Sequence, residues 1–297
     1  GETWRNKGFW KNSEACYGCN IACTKIANSK KYNVTIDGPE YETVFAMGSN
    51  CGVVDHDAII YSNYLCDNYG IDTISVGNII GFIMELYEKG IVTEKNLDGI
   101  KAEWGSGEAL IKLTEKMCKG EGIGKLLEKG VKNIAEEYPE SEEFAMHVKG
   151  LEMPGYLPNA AKGIALSYAI SERGACHLHG SPLSELMGGA DPLTTENKAA
   201  LFKTTQSDVA IIDSMVMCYF TKNGITLKEI MQMVNPATGF DYENTKEFEE
   251  VGTRISTLAR LFNTREGFSS KDDVLPKRCT HEPVLSGPAK GHTVDLD

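Results

Sequence analysis

The sequence has no excess of positive charge. Thirty Lys and Arg stand against 42 Asp and Glu, giving a formal net charge of −12 and an isoelectric point near 5.1. Nucleic-acid backbones and anionic lipid surfaces are held through a basic face that displaces counterions, so neither a nucleic acid nor a membrane is expected as a partner. Any run of eighteen apolar residues is missing too, which removes the expectation of a membrane-spanning helix. The opening, Gly1-Glu2-Thr3-Trp4-Arg5, has no apolar core of the signal-peptide kind, and the expected location is cytoplasmic. Internal repeats and low-complexity tracts are absent. So is an initiator Met, and because the opening reads like the interior of a domain, a fragment of a longer chain is expected.

What is present is enough for a folded body. With 297 residues, 41% hydrophobic and 24% charged, the chain is long enough to bury one large core or two ordinary ones. Helical periodicity dominates from Asp55 onward. Asp55 predicts a cap for a helix with Ala58, Tyr61 and Leu65 on one face and a break at Gly70. Asp72 predicts the cap of the next, with Ile74, Gly77, Ile80, Gly81 and Met84 buried and Gly90 as its end. Further helical patterns cover Glu108 to Lys119, Lys125 to Tyr138, Gly163 to Glu172, Thr195 to Thr205, Leu227 to Val234 and Asn244 to Leu261. Strand signals are short, the best being Tyr32 to Ile36 and Phe144 to Val148, so the expected class is mainly α with few short strands. A division into two packed helical subdomains near Gly150 is expected.

Nine Cys is an odd count, and without a secretory signal it does not describe a disulfide framework. Cys16, Cys19 and Cys23 form a C-x2-C-x3-C run that brings three thiolates into one tight loop. A cubane iron–sulfur cluster takes four thiolates, commonly three local and one distant, whereas structural zinc more often uses two separated pairs. The spacing favours the [4Fe–4S] cluster over zinc or unliganded thiols. Cys51, Cys66 and Cys118 read as small buried hydrophobes, and Cys279 sits in a basic loop. Cys176 and Cys218 stand in less ordinary settings, and these residues leave the distant ligand open.

Asp67-Asn68-Tyr69-Gly70-Ile71-Asp72 resembles the D-x-x-G-[LI]-D pterin-binding motif of the aldehyde:ferredoxin oxidoreductase family. The chemistry suits it, since fixed carboxylates accept the N–H donors of a pterin edge and a glycine lets backbone approach a flat ring. The same six residues also read as two helix-end aspartates. Asp213-Ser214-Met215-Val216-Met217-Cys218 resembles the second motif of that family, D-x-x-G-L-C, with Val216 in place of the glycine. Gly38-Pro39-Glu40-Tyr41-Glu42-Thr43, Gly48-Ser49-Asn50-Cys51-Gly52, Arg173-Gly174-Ala175-Cys176-His177-Leu178, Arg260 to Gly267 and Leu275 to Arg278 resemble the family as well. Family members typically carry Arg where this chain has His179.

The resemblance implies the helical C-terminal domains of a tungsten (or molybdenum) bis-pterin enzyme, lacking the β-rich N-terminal domain that forms the pterin base and shortened past Ser286-Gly287-Pro288. It implies Cys218 as the fourth cluster ligand, Asp67, Gly70, Asp72 and Asp213 at the pterin, and Glu42 and His177 as acid–base groups. The implied reaction is oxidation of a small-molecule aldehyde to a carboxylic acid, with electrons passing through the cluster to ferredoxin. Reduction of an aromatic acyl-CoA or a carboxylic acid on the same cofactor frame is the competing enzyme reading, and a cluster-bearing electron-transfer module or a zinc-stabilised helical protein the competing non-catalytic ones. A homo-oligomer is compatible with all of them. His56, His147, His281 and His292 lie among polar neighbours and are expected to face solvent.

Overall fold

The computed structural model describes residues 1–295. The chain divides into two compact units, Gly1–Gly155 and Tyr156–Asp297.

The first unit opens with a short helix α1 (Glu2–Asn6) and an antiparallel sheet in the order β1-β2-β3, formed by Trp10–Glu14, Thr24–Ser29 and Val34–Asp37. Only β3 was expected, and two residues earlier. The polar β1 segment, Trp10-Lys11-Asn12-Ser13-Glu14, carries no alternation of apolar residues and is exposed along nearly its whole length, so pairing with β2 rather than burial defines it. Ala27, Val34 and Ile36 pack against Ile60, which seats the sheet on the helical layer.

Helix α2 (Tyr41–Thr43) runs directly into a π-helical turn, Val44–Ser49. Helix α3 (His56–Tyr69) is capped by the Asp55 side chain, which accepts from the Ala58 amide at 3.2 Å, and ends at Gly70 with φ +69°. Asp72 caps α4 (Thr73–Glu88) by accepting from the Ser75 amide at 2.9 Å. The expected single buried face of α4 is too narrow a description, because every residue from Val76 to Met84 is buried while Ile74 is only half-buried. Helix α4 is therefore the central element of this unit's core, and Gly77 lets it pass the π-turn: a Cβ there would lie 2.4 Å from the Ala46 carbonyl carbon.

Helix α5 (Gly107–Lys119) is capped by Ser106. The helix expected over Lys125 to Tyr138 is instead two, α6 (Gly124–Leu127) and α7 (Gly130–Glu137). Gly130 adopts φ +82°, which interrupts the helical path, and the next amide, Val131, donates to buried Glu152 at 2.8 Å. The strand expected over Phe144 to Val148 shrinks to β4 (His147–Val148), paired with β5 (Leu151–Glu152), because Pro139–Phe144 turns as 3-10 helix.

The second unit is built from α8 (Lys162–Ile170), α9 (Lys198–Ser214), α10 (Leu227–Thr238), α11 (Thr245–Arg265) and α12 (Lys277–His281). Helix α9 extends beyond the expected Thr205 to Ser214, so that Ile211 and Ile212 join Ile230, Met231, Val234 and Phe248 in a buried cluster. The long loop between α8 and α9 is pinned by Glu185, which accepts from the Gly163 and Ile164 amides at the start of α8, both at 3.1 Å, and pairs with buried Lys198. That pair is enclosed on all sides, so its hydrogen bonds to backbone offset the cost of removing both charges from water.

Candidate functional site

The three-cysteine run is the connection of the β1–β2 hairpin. Its turn is closed by the Cys19 amide donating to the Cys16 carbonyl at 3.0 Å, with Gly18 and Ala22 both at positive φ. The Ile21 amide donates to the Cys19 sulfur at 3.4 Å. Cys16 and Cys23 are exposed and Cys19 half-buried; Cys218, beyond the end of α9, is exposed.

The other thiols are of a different kind. Cys51, Cys66, Cys176 and Cys279 are buried, and Cys118 half-buried. Burial pushes the Cys51 and Cys279 thiols up to about 12 and that of Cys66 up as well, which opposes the thiolate a metal needs. Cys51 instead donates to the Ala46 and Gly77 carbonyls at 3.2 and 3.3 Å. Cys16, Cys23 and Cys218 are the exposed thiols of the chain. No group of three or more His, Cys, Asp or Glu side chains stands in a metal-holding arrangement among the described residues.

Glu42 lies in α2, half-buried, and its Oε2 accepts from the Gly155 amide at 2.7 Å. Burial raises its carboxyl above the ordinary Glu range, the Gly155 amide opposes this, and the negative charge of Asp72 adds to it. Thr43 and Thr73 share a hydrogen bond of 2.7 Å that ties the Glu42 turn to the start of α4 beside Asp72. Neither Gly155 nor this Thr pair was singled out from the sequence, because both contacts are long-range. A helix also begins at Tyr41, so the extended geometry in which Glu40 and Glu42 would share a face does not hold, and Glu40 is exposed at the N-cap.

Asp67 is exposed on the last turn of α3 and accepts from Asn63 Nδ2 at 2.7 Å. Partial burial raises its carboxyl, against the Asn63 hydrogen bond and with the Asp37 charge. Between it and Asp72, Gly70 supplies the left-handed residue that ends α3. The helix-end geometry of this motif is thus real, with Asp72 exposed while it caps α4.

In the second unit, His177 lies half-buried in the loop between α8 and α9, its ring centroid 5.7 Å from that of Tyr156. Asp213 is exposed on the last turn of α9 and lines a cavity of about 340 Å³ together with Glu172, His179, Gln206 and Ser256. His179 Nδ1 lies 2.6 Å from Glu172 Oε1. Burial pushes the Glu172 carboxyl up, but the His179 hydrogen bond, its own amide and the His179 and Arg173 charges together hold it below the ordinary range. Three other histidines, His56, His147 and His292, depart from the expectation of solvent exposure in being half-buried. His56 is stacked on Phe9 at 5.0 Å and lies edge-on to Trp4, and burial lowers the imidazoles of His56 and His147.

A family model described as aldehyde ferredoxin oxidoreductase, domains 2 & 3, matches residues 1–297. The chain belongs to this family. It is 39% identical over 303 residues to a tungsten-containing aldehyde ferredoxin oxidoreductase of Pyrococcus furiosus, covering all of this chain and 49% of that protein. The corresponding protein of Thermococcus kodakarensis is 38% identical over the same coverage. An aliphatic sulfonate oxidoreductase, WOR-like subunit, of Pyrococcus furiosus is 34% identical over 97% of this chain and 45% of that one. The chain spans about half the length of the curated relatives it matches. Its fold matches a chain of the active-site complex BamBC of benzoyl coenzyme A reductase with a TM-score of 0.78, at 18% identity, over 93% of this chain and 48% of that one.

The mainly helical class with few short strands is that of the family's domains 2 and 3. The family is one of oxidoreductases, and the relatives named above as aldehyde ferredoxin oxidoreductases are tungsten-containing. Val216, at the family's glycine position, has φ +56° and is 94% exposed. A glycine is favoured there by backbone conformation; the valine side chain crowds nothing around it and is strained by its own backbone. No helix among the described residues is long and apolar enough to cross a membrane.

Proposed function

We propose that this chain is the helical part of an aldehyde-oxidising tungsten (or molybdenum) bis-pterin enzyme that hands electrons to ferredoxin through a [4Fe–4S] cluster. Cys16, Cys19, Cys23 and Cys218 hold the cluster. Asp67, Asp72 and Asp213 accept hydrogen bonds from pterin, with Gly70 shaping the first motif. The observation that carries the reading is the Glu42 carboxyl, half-buried, fixed by the Gly155 amide and raised by burial beside Asp72, within a chain matched by the family over its whole length.

The bound tungsten–pterin centre supplies the two-electron oxidation. Oxidising an aldehyde to an acid adds an oxygen and releases protons, and Glu42 is placed to accept one at its carboxylate and pass it on. A raised carboxyl brings its affinity for protons closer to neutral pH, where transfer in both directions is efficient. His177 shares this proton work from its half-buried loop. The 34% identical sulfonate oxidoreductase subunit favours a second substrate class on the same frame, with the substrate pocket deciding between them.

The full-length protein purified without oxygen should contain tungsten, iron and acid-labile sulfide, and should reduce ferredoxin with an aldehyde as donor. Iron with no tungsten would reduce the reading to an electron-transfer module; zinc in place of iron would make it a structural protein. Replacing Cys218 with Ala should leave a labile cluster with less than four iron atoms per chain. A full complement and an unchanged reduced-state EPR signal would remove Cys218 from the site.

A further inference from the structure

The acidic balance of the chain reverses around the three-cysteine hairpin. Residues 1–36 carry Arg5, Lys7, Lys11, Lys25, Lys30 and Lys31 against two carboxylates, Glu2 and Glu14, in a chain whose net charge is −12. All six cations belong to α1, to the strands β1 and β2, or to the turns beside them, and all but Lys25 are exposed. Lys25 donates to the Cys23 carbonyl at 2.5 Å and lies 5.4 Å from the centre of the Trp10 ring, over which Arg5 also sits at 4.4 Å. The base of the cysteine loop is therefore held between two cations and an indole. Lys31 is partly answered by Asp55 at 3.4 Å, and Asp37 of β3, paired with Ile26, lies beside Lys25 at the cysteine-loop end of β2; the Lys7 and Lys11 side chains are exposed.

The tip of the hairpin is apolar. Tyr17, between Cys16 and Gly18, is fully exposed at 107%, and Ile21 is 44% exposed. An apolar tip on a hairpin whose strands and flanking helix carry the cations is the anatomy of a small, weak, fast-exchanging interface: the tip supplies contact and the flanking charge steers encounter.

We propose that the β1–β2 hairpin, with Tyr17 at its tip and Lys7 and Lys11 beside it, is the docking surface for a small acidic electron-carrier protein. This rests on the reading above, in which the hairpin holds three ligands of the cluster. The step is transfer of one electron from the reduced cluster to the oxidised redox centre of the carrier, with no bond made or broken. This part of the sequence offers an acidic partner a net positive charge, and unlike the lysines between Lys112 and Lys132 it does so next to the thiols that would deliver the electron. The net negative charge of the chain as a whole opposes the same partner, and the thiols make the hairpin the basic region where an encounter is productive.

The test is the affinity of an acidic ferredoxin for the full-length holoenzyme, measured by titration at low and high ionic strength without any turnover. The double variant Lys7→Glu, Lys11→Glu should bind about tenfold more weakly or worse at low salt, and the difference should shrink at high salt as screening shortens electrostatic reach. The matched charge change on another part of the first unit, Lys125→Glu with Lys129→Glu, should have little effect. Iron content, the EPR signal and dye-coupled aldehyde oxidation should be unchanged in both variants. Equal weakening by the two pairs would mean that only net charge matters, and unchanged affinity in the hairpin variant would place the docking site elsewhere; either result overturns the proposal. A parent enzyme without a cluster or without aldehyde oxidation would defeat the functional reading instead, while the binding comparison still decides the docking surface.

Discussion

Glu42 places function and stability in opposition at a single residue. Its carboxyl is raised in the folded state, chiefly by burial, so the folded form holds a proton at a pH where the unfolded form has released it. Ionising it costs folding free energy: that cost is absent below the unfolded value, grows as pH rises through the folded one, and persists above it. Glu42→Gln keeps an oxygen for the Gly155 amide and removes the charge. We expect turnover to fall by about 10²–10⁴-fold, while the melting temperature near neutral pH is unchanged or higher and its advantage over the parent fades in acid. A variant that is both less active and clearly less stable would point to a structural role. Val216 is the second residue-scale case. A β-branched residue at φ +56° costs about 1–2 kcal/mol, and glycine returns part of that gain through its greater freedom when unfolded. Val216→Gly should therefore stabilise the protein by roughly 0.5–1 kcal/mol, read as a higher denaturation midpoint at constant slope.

At the scale of elements, the first pterin motif is also a helix end followed by a helix start. Asp72 caps α4, the central element of its unit, so a loss of cofactor after mutation could come from either duty. Two substitutions separate them. Asp72→Ala removes the cap and should cost about 1 kcal/mol, whereas Asn caps about as well as Asp, so Asp72→Asn should leave stability nearly unchanged. If the carboxylate also holds pterin, both variants lose a charge-assisted hydrogen bond and about tenfold or more in cofactor affinity. Full tungsten and pterin occupancy with the parent's affinity in Asp72→Asn would assign the residue to capping alone. The helix-cap pattern was legible because Asp55, Gly70 and Asp72 act on backbone only a few residues away. Strands β1 and β2 were not, because a polar hairpin is defined by its partner strand.

At the scale of the whole molecule, eight of the nine thiols fall into two sets, with half-buried Cys118 between them, and the difference can be read chemically. In metal-free protein, Cys16, Cys23 and Cys218 should alkylate fastest and Cys19 next, while Cys51, Cys66, Cys176 and Cys279 should label only on unfolding. Reconstitution with iron and sulfide should then protect the first four together. Mass spectrometry of the labelled peptides reads this directly, and continued labelling of Cys218 in iron-loaded protein would exclude it from the cluster.

The sequence by itself determined the mainly helical class, the caps that start α3 and α4, the family, and the run that makes Cys16, Cys19 and Cys23 neighbours. These follow from interactions between residues close in the chain, or from motifs whose spacing carries their meaning. Tertiary structure alone decided that α4 is buried all round, that Gly130 divides the α6–α7 region and that Glu42 meets the Gly155 amide. It also decided that His179 pairs with Glu172 and that Val216 is strained by its backbone. Each of these depends on what lies across a packed layer, or on a dihedral set by the path of the chain, and residue order alone does not encode either in a local pattern.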